Sequence, residues 1–164
     1  MTTTTVDGRL NLPRRSGERP RTRAHTPHQQ LSQISPPDLQ EQLWSRMTTL
    51  ADVLPGRSSV SVPDTRALHL RPAMAHGPRE AYLAGSEFAH LHGHGDGSLH
   101  LCLPREVVAQ ALRQGWAEQH PMARQGYLPG TLVMVYGPRD HEELEVVWQL
   151  VRISHRFAHR PATA

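Results

Sequence analysis

Between Ala89 and Leu103 two short runs alternate strictly around a glycine-rich turn, and that alternation admits one strand pairing. Side chains along a strand point to opposite faces in turn. Ala89, Leu91, Leu99, Leu101 and Leu103 therefore share one face, and His90, His92, Ser98, His100 and Cys102 share the other. Gly93, Gly95 and Gly97, with Asp96, place a turn near Gly95. That centre sets His90 opposite His100 and His92 opposite Ser98. A slip of one residue would mix the faces, so the pattern predicts its own register. Directly opposed Cβ atoms lie roughly 4.5–5.5 Å apart. Three imidazoles then converge on a patch small enough to share one ligand.

Three readings of that polar face stand side by side. It is a solvent-facing sheet surface, although such positions usually draw on Thr, Lys, Glu and Arg rather than on three imidazoles. It is a metal site, since two His at i and i+2 with a third on the paired strand (His90, His92 and His100) suit iron, copper or zinc. Or it is a metal-free site in which His serves as acid, base or hydrogen-bond donor to an anionic organic substrate. His120, fixed by the following Pro121, is a further site candidate on a loop. Glu87 either faces water at the strand entry or turns in as a partner for a His. Asp96 reads first as a turn residue. Arg139 is placed to anchor a carboxylate or enolate, Tyr136 is partly core with a hydroxyl that needs a partner, and Trp116 is a core plug or a pocket wall. Cys102 shares the His face but has no evident activating partner. His94 lies in the turn, and His69, His76, His141, His155 and His159 form no constellation.

The rest of the chain supplies the frame. Its 164 residues suffice for one domain. Residues 1–34 carry the Thr2–Thr5 run, several prolines and six Arg against two acids, a charge of +4; the remainder then holds about −1 of the total +3. The segment reads as a disordered Arg/Pro/Thr-rich tail. It lacks interleaved aromatics, which argues against nucleic acid as a partner. A single cysteine excludes an intramolecular disulfide and suits a cytoplasmic location, and the apolar runs are too short for a membrane span. A helix is expected from Ser35 as N-cap, with Leu39, Leu43, Met47, Leu50 and Leu54 on one face and Pro55-Gly56 as its stop. Strands are expected at 59–62, 67–70, 87–92, 98–103 and 132–136. A helix is expected after Pro104 up to Gly115, a loop over 116–130, and a last helix from about His141 to Phe157 capped by Asp140. Clustered strands followed by helices argue for an α+β fold: a mainly antiparallel sheet of about four to five strands packed with about three helices. The domain is expected over 35–158, with 159–164 as a tail. There is no Walker A, no GxGxxG and no nucleophile elbow.

These residues also carry a resemblance. Glu87-Phe88-Ala89-His90-Leu91-His92, Asp96, Leu99-His100-Leu101, Gly115-Trp116, His120-Pro121 with Ala123, Tyr136, Pro138-Arg139, Glu142-Glu143 and Val146-Val147 occur in an order and spacing that resembles the luciferase-domain family. The likeness covers about residues 85–157. It includes the fungal luciferases, which add O₂ to a pyrone ring, form a cyclic peroxide, lose CO₂ and leave an excited product without a required cofactor. The resemblance implies an oxygenase, an oxidoreductase acting on a small enolisable pyrone or phenolic substrate together with O₂. It makes His90, His92, His100, His120 and Arg139 catalytic candidates, with Trp116, Tyr136, Glu87 and Asp96 around the pocket. The alternatives are a His-ligated metal enzyme of another class, such as a hydrolase or isomerase holding a divalent Fe, Zn or Cu, and a non-catalytic domain that binds a small ligand or metal. Two departures stand out: the fungal proteins carry a hydrophobic N-terminal anchor where this chain is polar and Arg-rich, and the turn at 93–97 is richer in glycine.

Overall fold

The computed structural model describes residues 10–163. At its centre the hairpin pairs in the register that the alternation demands. Strand β3 (Glu87–Leu91) runs antiparallel to β4 (Leu99–Cys102), with Ala89 opposite Leu101, His90 opposite His100 and Leu91 opposite Leu99. A bond from His92 N to Ser98 O (2.9 Å) extends the ladder, and Asp96 N and Gly97 N both donate to Gly93 O within the turn. Gly97 has φ +74°, a conformation that suits glycine and strains most other residues.

Four more strands complete an antiparallel sheet: β1 (Val53–Arg57), β2 (Arg66–Leu70), β5 (Ala117–Gln119) and β6 (Leu132–Val135), in the order β1-β2-β3-β4-β6-β5. β6 lies between β4 and β5, and all four of its residues are buried, which accounts for its unbroken apolar run. Pro55 sits in β1, an edge strand, where a missing N–H costs least. Helices α1 (Pro37–Met47), α2 (Arg105–Gln114), the short α3 (Pro121–Arg124) and α4 (His141–Ala158) complete an α+β fold. Leu144, Val147, Leu150 and Val151 of α4 meet Leu39, Leu43 and Met47 of α1 and the hairpin's Leu91, Leu99 and Leu101 in one core. Burying each such side chain contributes about 1.5–3 kcal/mol before ordering entropy is subtracted. That gain pins the aliphatic face inward and leaves the imidazoles on the opposite side.

One irregularity changes what the imidazoles meet. Leu68 faces Ala89, but His69 faces Glu87, so Phe88 is an extra residue on β3. Phe88 and Ala89 both join the core. Strict alternation would send Glu87 to the aliphatic side; the bulge turns it to the histidine side instead.

Several elements differ from the sequence-based expectation. The first helix ends at Met47, because Thr48 and Thr49 turn their hydroxyls back onto Ser45 O and Arg46 O and residues 53–57 pair with β2 instead. Ser35 does not cap that helix; its hydroxyl donates to Pro138 O. Residues 59–62 form no strand, and the span 116–130 holds β5 and α3.

The largest correction concerns residues 1–34. Their first nine lie outside the described residues, with the Thr run among them. From Leu10 onward the segment is not a disordered tail but a strap laid across the sheet. Leu12 is buried in the core, and its N–H donates to Gln110 Oε1. Trp116 Nε1 donates to Pro13 O, Arg15 N donates to Gln114 O, and Thr22 pairs with Gln30 across a small loop. Gln30 Oε1 accepts from Gly137 N and Gln30 N donates to Asp96 Oδ2. Specific polar bonds, with Leu12 in the core and Leu10 packed against it, hold the strap, so hydrophobic periodicity does not reveal it. The far end is tied down too: His159 reaches Asp52 Oδ2 and Arg160 bridges to Ala75.

Candidate active site

A cavity of about 580 Å³ opens on the histidine side of the hairpin. His90, His92, His100 and His120 line one wall, joined by His28 from the strap. Val60, Val62, Leu83, Met122, Leu128 and Leu132 give the remainder an apolar character. All five imidazoles are buried.

A run of side-chain contacts passes through His100. His28 Nδ1 lies 2.9 Å from His100 Nε2, and His90 Nε2 lies 3.1 Å from His100 Nδ1. Each outer imidazole ends on a carboxylate: His28 Nε2 on Glu118 Oε2 (3.1 Å) and His90 Nδ1 on Glu87 Oε1 (2.8 Å). Ser58 and Ser59 donate to the same Glu87 carboxylate. Thr22 and Tyr136 donate to Glu118. His92 Nδ1 meets Ser98 Oγ (2.9 Å) and Asp96 Oδ2 (3.2 Å), while the Ser98 hydroxyl donates to Asp96 Oδ1.

These partners assign the ring protons. An ionised carboxylate only accepts, so His90 carries its proton on Nδ1 and His28 on Nε2. Ser98 has already given its hydroxyl proton to Asp96, so His92 also donates from Nδ1. His120 is the opposite case. Its Nδ1 accepts from Met122 N (3.1 Å) and caps α3, which leaves the proton on Nε2. His100 then faces a bare nitrogen on each side. A neutral imidazole has one proton and can satisfy only one of them.

Burial disfavours the charged form of His90, His100 and His120. It lowers the affinity of His100 for a second proton well below the usual histidine value, with the surrounding imidazoles adding to the effect. His90 is lowered by burial against the pull of Glu87. His120 falls to about 4 through burial and the nearby His28, His90 and His92. For the carboxyls, burial acts in the raising direction but is outweighed. Hydrogen bonds from His90 and the two serines hold Glu87 low, His92 and Ser98 hold Asp96 low, and His28, Thr22 and Tyr136 hold Glu118 low.

Residues 85–154, which supply most of this wall, match the family model described as the luciferase domain. Over these residues the chain is similar to the luciferase-domain family. A luciferase of Armillaria gallica is 27% identical over 167 aligned residues, which cover 88% of this chain and 60% of that protein. Luciferases of Neonothopanus nambi and Armillaria mellea are 38% and 37% identical over 71 residues, 42% of this chain and 26% of each of theirs. The chain thus spans 60% or less of these relatives' length. No solved structure matches it.

Within the matched residues the sequence candidates separate into three groups. His90, His92, His100 and His120 meet at the cavity wall. Glu87 and Asp96 stand behind that wall, each against an imidazole. Arg139, Trp116 and Tyr136 are elsewhere. Arg139 clasps Glu143 and Ser16 O, because the Glu143 carboxylate one helical turn on is its nearest counter-charge. Trp116 is a core residue tied to Pro13 O, and Tyr136 lies beneath Arg15 with its hydroxyl on Glu118. The Cys102 thiol is buried and its pKa is pushed up to about 12, which rules it out as a ready nucleophile. Sequence reasoning missed His28 and Glu118. For His28 the only signal is a lone imidazole beside Pro27 in an otherwise polar segment; Glu118, two residues before His120, has the parity of that imidazole.

Proposed function

We propose that this protein is an oxygen-using enzyme that acts on a small, enolisable pyrone or phenolic molecule. The observation that carries this reading is a wall of five buried imidazoles at one side of an apolar-lined cavity, with burial favouring the neutral form of His90, His100 and His120. A neutral imidazole accepts a proton without first losing one, and an apolar surround favours a flat organic body over water. The reading draws further support from the likeness to fungal luciferases.

The chain's own groups divide the work. An imidazole of the His90–His92–His100 face takes the acidic proton of the substrate, leaving an enolate. His120, with its proton on Nε2, donates a hydrogen bond to the developing oxyanion. The enolate carbon bonds to O₂, and the proton removed earlier returns to the distal oxygen. Substrate and O₂ thus become a hydroperoxide, with no atom or electron left over. Glu87, Asp96 and Glu118 orient the imidazoles and do not touch the substrate.

Oxygen consumption with a panel of hydroxypyrones and catechols tests the reading. Uptake that depends on protein and falls in His90→Ala and His120→Ala is expected. No uptake across the panel, with and without added iron, would remove it.

A further inference from the structure

We propose that His90, His92 and His100 hold one divalent first-row transition-metal ion, through His90 Nε2, His92 Nε2 and His100 Nδ1. One ring nitrogen from each of the three lies within 4.8 Å of the others, and all three side chains are buried.

The proton assignment leads there. Metal-ligating histidines characteristically donate their second ring N–H to a carboxylate or a similar acceptor. His90 gives its Nδ1–H to Glu87, and His92 gives its Nδ1–H to Ser98 and Asp96. His100 gives its Nε2–H to His28 Nδ1, and His28 passes the polarisation on to Glu118. Each of the three therefore presents a lone pair on its other nitrogen. Two of those lone pairs, on His90 Nε2 and His100 Nδ1, face each other at 3.1 Å. With the single His100 proton on Nε2, that contact is repulsive unless a cation lies between the two nitrogens. Donors about 2.0–2.1 Å from a tetrahedral zinc ion lie roughly 3.3 Å apart, close to this separation. Three imidazole ligands suit iron, copper or zinc rather than magnesium or calcium.

A second triad, His28, His100 and His120, is also close enough. It fits the chemistry less well. His120 accepts from Met122 N through Nδ1, so ligation at Nε2 would require a full imidazolate. The strap's part is thus to orient: His28 and Glu118 are positioning residues that fix the tautomer of His100. The metal would occupy the same three imidazoles from which the reaction proposed above draws its base, so binding is measured on its own, without any substrate.

Full-length protein without a polyhistidine tag, stripped with chelator, is titrated with Zn²⁺ and Cu²⁺ by calorimetry. One equivalent per chain is expected. His92→Ala should weaken binding at least 100-fold. Glu118→Gln, which touches no metal, should retain one equivalent with 10- to 100-fold lower affinity. His94→Asn, in the exposed turn, should bind as the parent does. Electron paramagnetic resonance of the Cu²⁺ form of the parent protein should show splitting from three nitrogens, which does not depend on whether the variants fold. The proposal is overturned by sub-stoichiometric binding, by parent-like binding in His92→Ala, or by fewer than three nitrogens. Parent-like affinity in Glu118→Gln would overturn the strap's role. Oxygen uptake by fully stripped protein would leave the enzymatic reading standing while separating it from the metal.

Discussion

His28 Nδ1 lies 2.9 Å from His100 Nε2, although 72 residues separate them in the chain. The contact joins a polar, Arg-rich strap to the innermost strand of the hairpin. It makes the strap part of the site's wall as well as a cover over the sheet.

Leu12 anchors that strap in the core and is almost fully buried. Leu12→Ala should cost about 2–5 kcal/mol by loss of contacts and an unfilled cavity. Urea denaturation followed by tryptophan fluorescence measures it; a loss under 1 kcal/mol would mean that the strap is held by its hydrogen bonds alone.

Acid should weaken the fold in a defined window. In the unfolded chain a histidine takes up a proton near pH 6.5. Folded His90, His100 and His155 do so only at lower pH, and His120 only near 4. Their stabilisation is complete above about 6.5 and is lost as the pH falls toward those lower values, by up to about 1.4 kcal/mol per pH unit for each group. The depressed carboxyls Glu87, Asp96 and Glu118 act in the same sense further down: their contribution is present above about 4 and is lost below. Thermal melts from pH 7.5 to 4.5 should show a steady fall in Tm. A flat Tm between 7 and 5 would contradict the burial of neutral imidazoles.

Arg139 and His120 should part company in kinetics. Arg139→Met loses charged hydrogen bonds to Glu143 and should cost roughly 1.5–3 kcal/mol of stability. It should leave kcat within a few-fold of the parent, because Arg139 does not line the cavity. His120→Ala should lower kcat and kcat/KM together by about 100-fold, the mark of a donor used at the transition state. Steady-state oxygen uptake, with folded fractions checked by circular dichroism, separates the two.

Gly137 packs against the hairpin turn with no room to spare. A Cβ there would lie 2.5 Å from Gly97 O and 2.9 Å from Ser35 Cβ. Gly137→Ala should destabilise the protein by about 1–3 kcal/mol. It should also disturb the neighbouring bond from Gly137 N to Gln30 Oε1, and so loosen the strap. Faster amide exchange at residues 28–31 would register that.

The hairpin was readable because one physical rule, alternation, fixed both its faces and its register, and His90 indeed faces His100. β6 and α4 were readable for a like reason, a long apolar signal with a clear cap at Asp140. The strap was not, because nothing in residues 10–34 repeats; Arg15, Gln30 and His28 are held by bonds to Gln114, Asp96 and His100, partners distant in sequence. Arg139 misled because a guanidinium beside a suspected pocket looks like an anion anchor, while Glu143, four residues on, claims it. Trp116 and Tyr136 fill core space next to the site rather than line it.

The extra residue at Phe88 acts as a phase shift in the strand. Upstream of it, odd positions face one way; downstream, they face the other. Glu87 keeps its charge out of the core only because that shift intervenes, so the spacing between Glu87 and His90 is as much a part of the message as either residue. Pairing Phe88 as an ordinary strand residue, with no bulge, would leave the composition of the site unchanged and its grammar broken: an anion would be written into the aliphatic layer and His90 would lose its counterpart. In relatives of this chain, a carboxylate three positions ahead of the first histidine is therefore the mark to look for, whatever residue fills the gap.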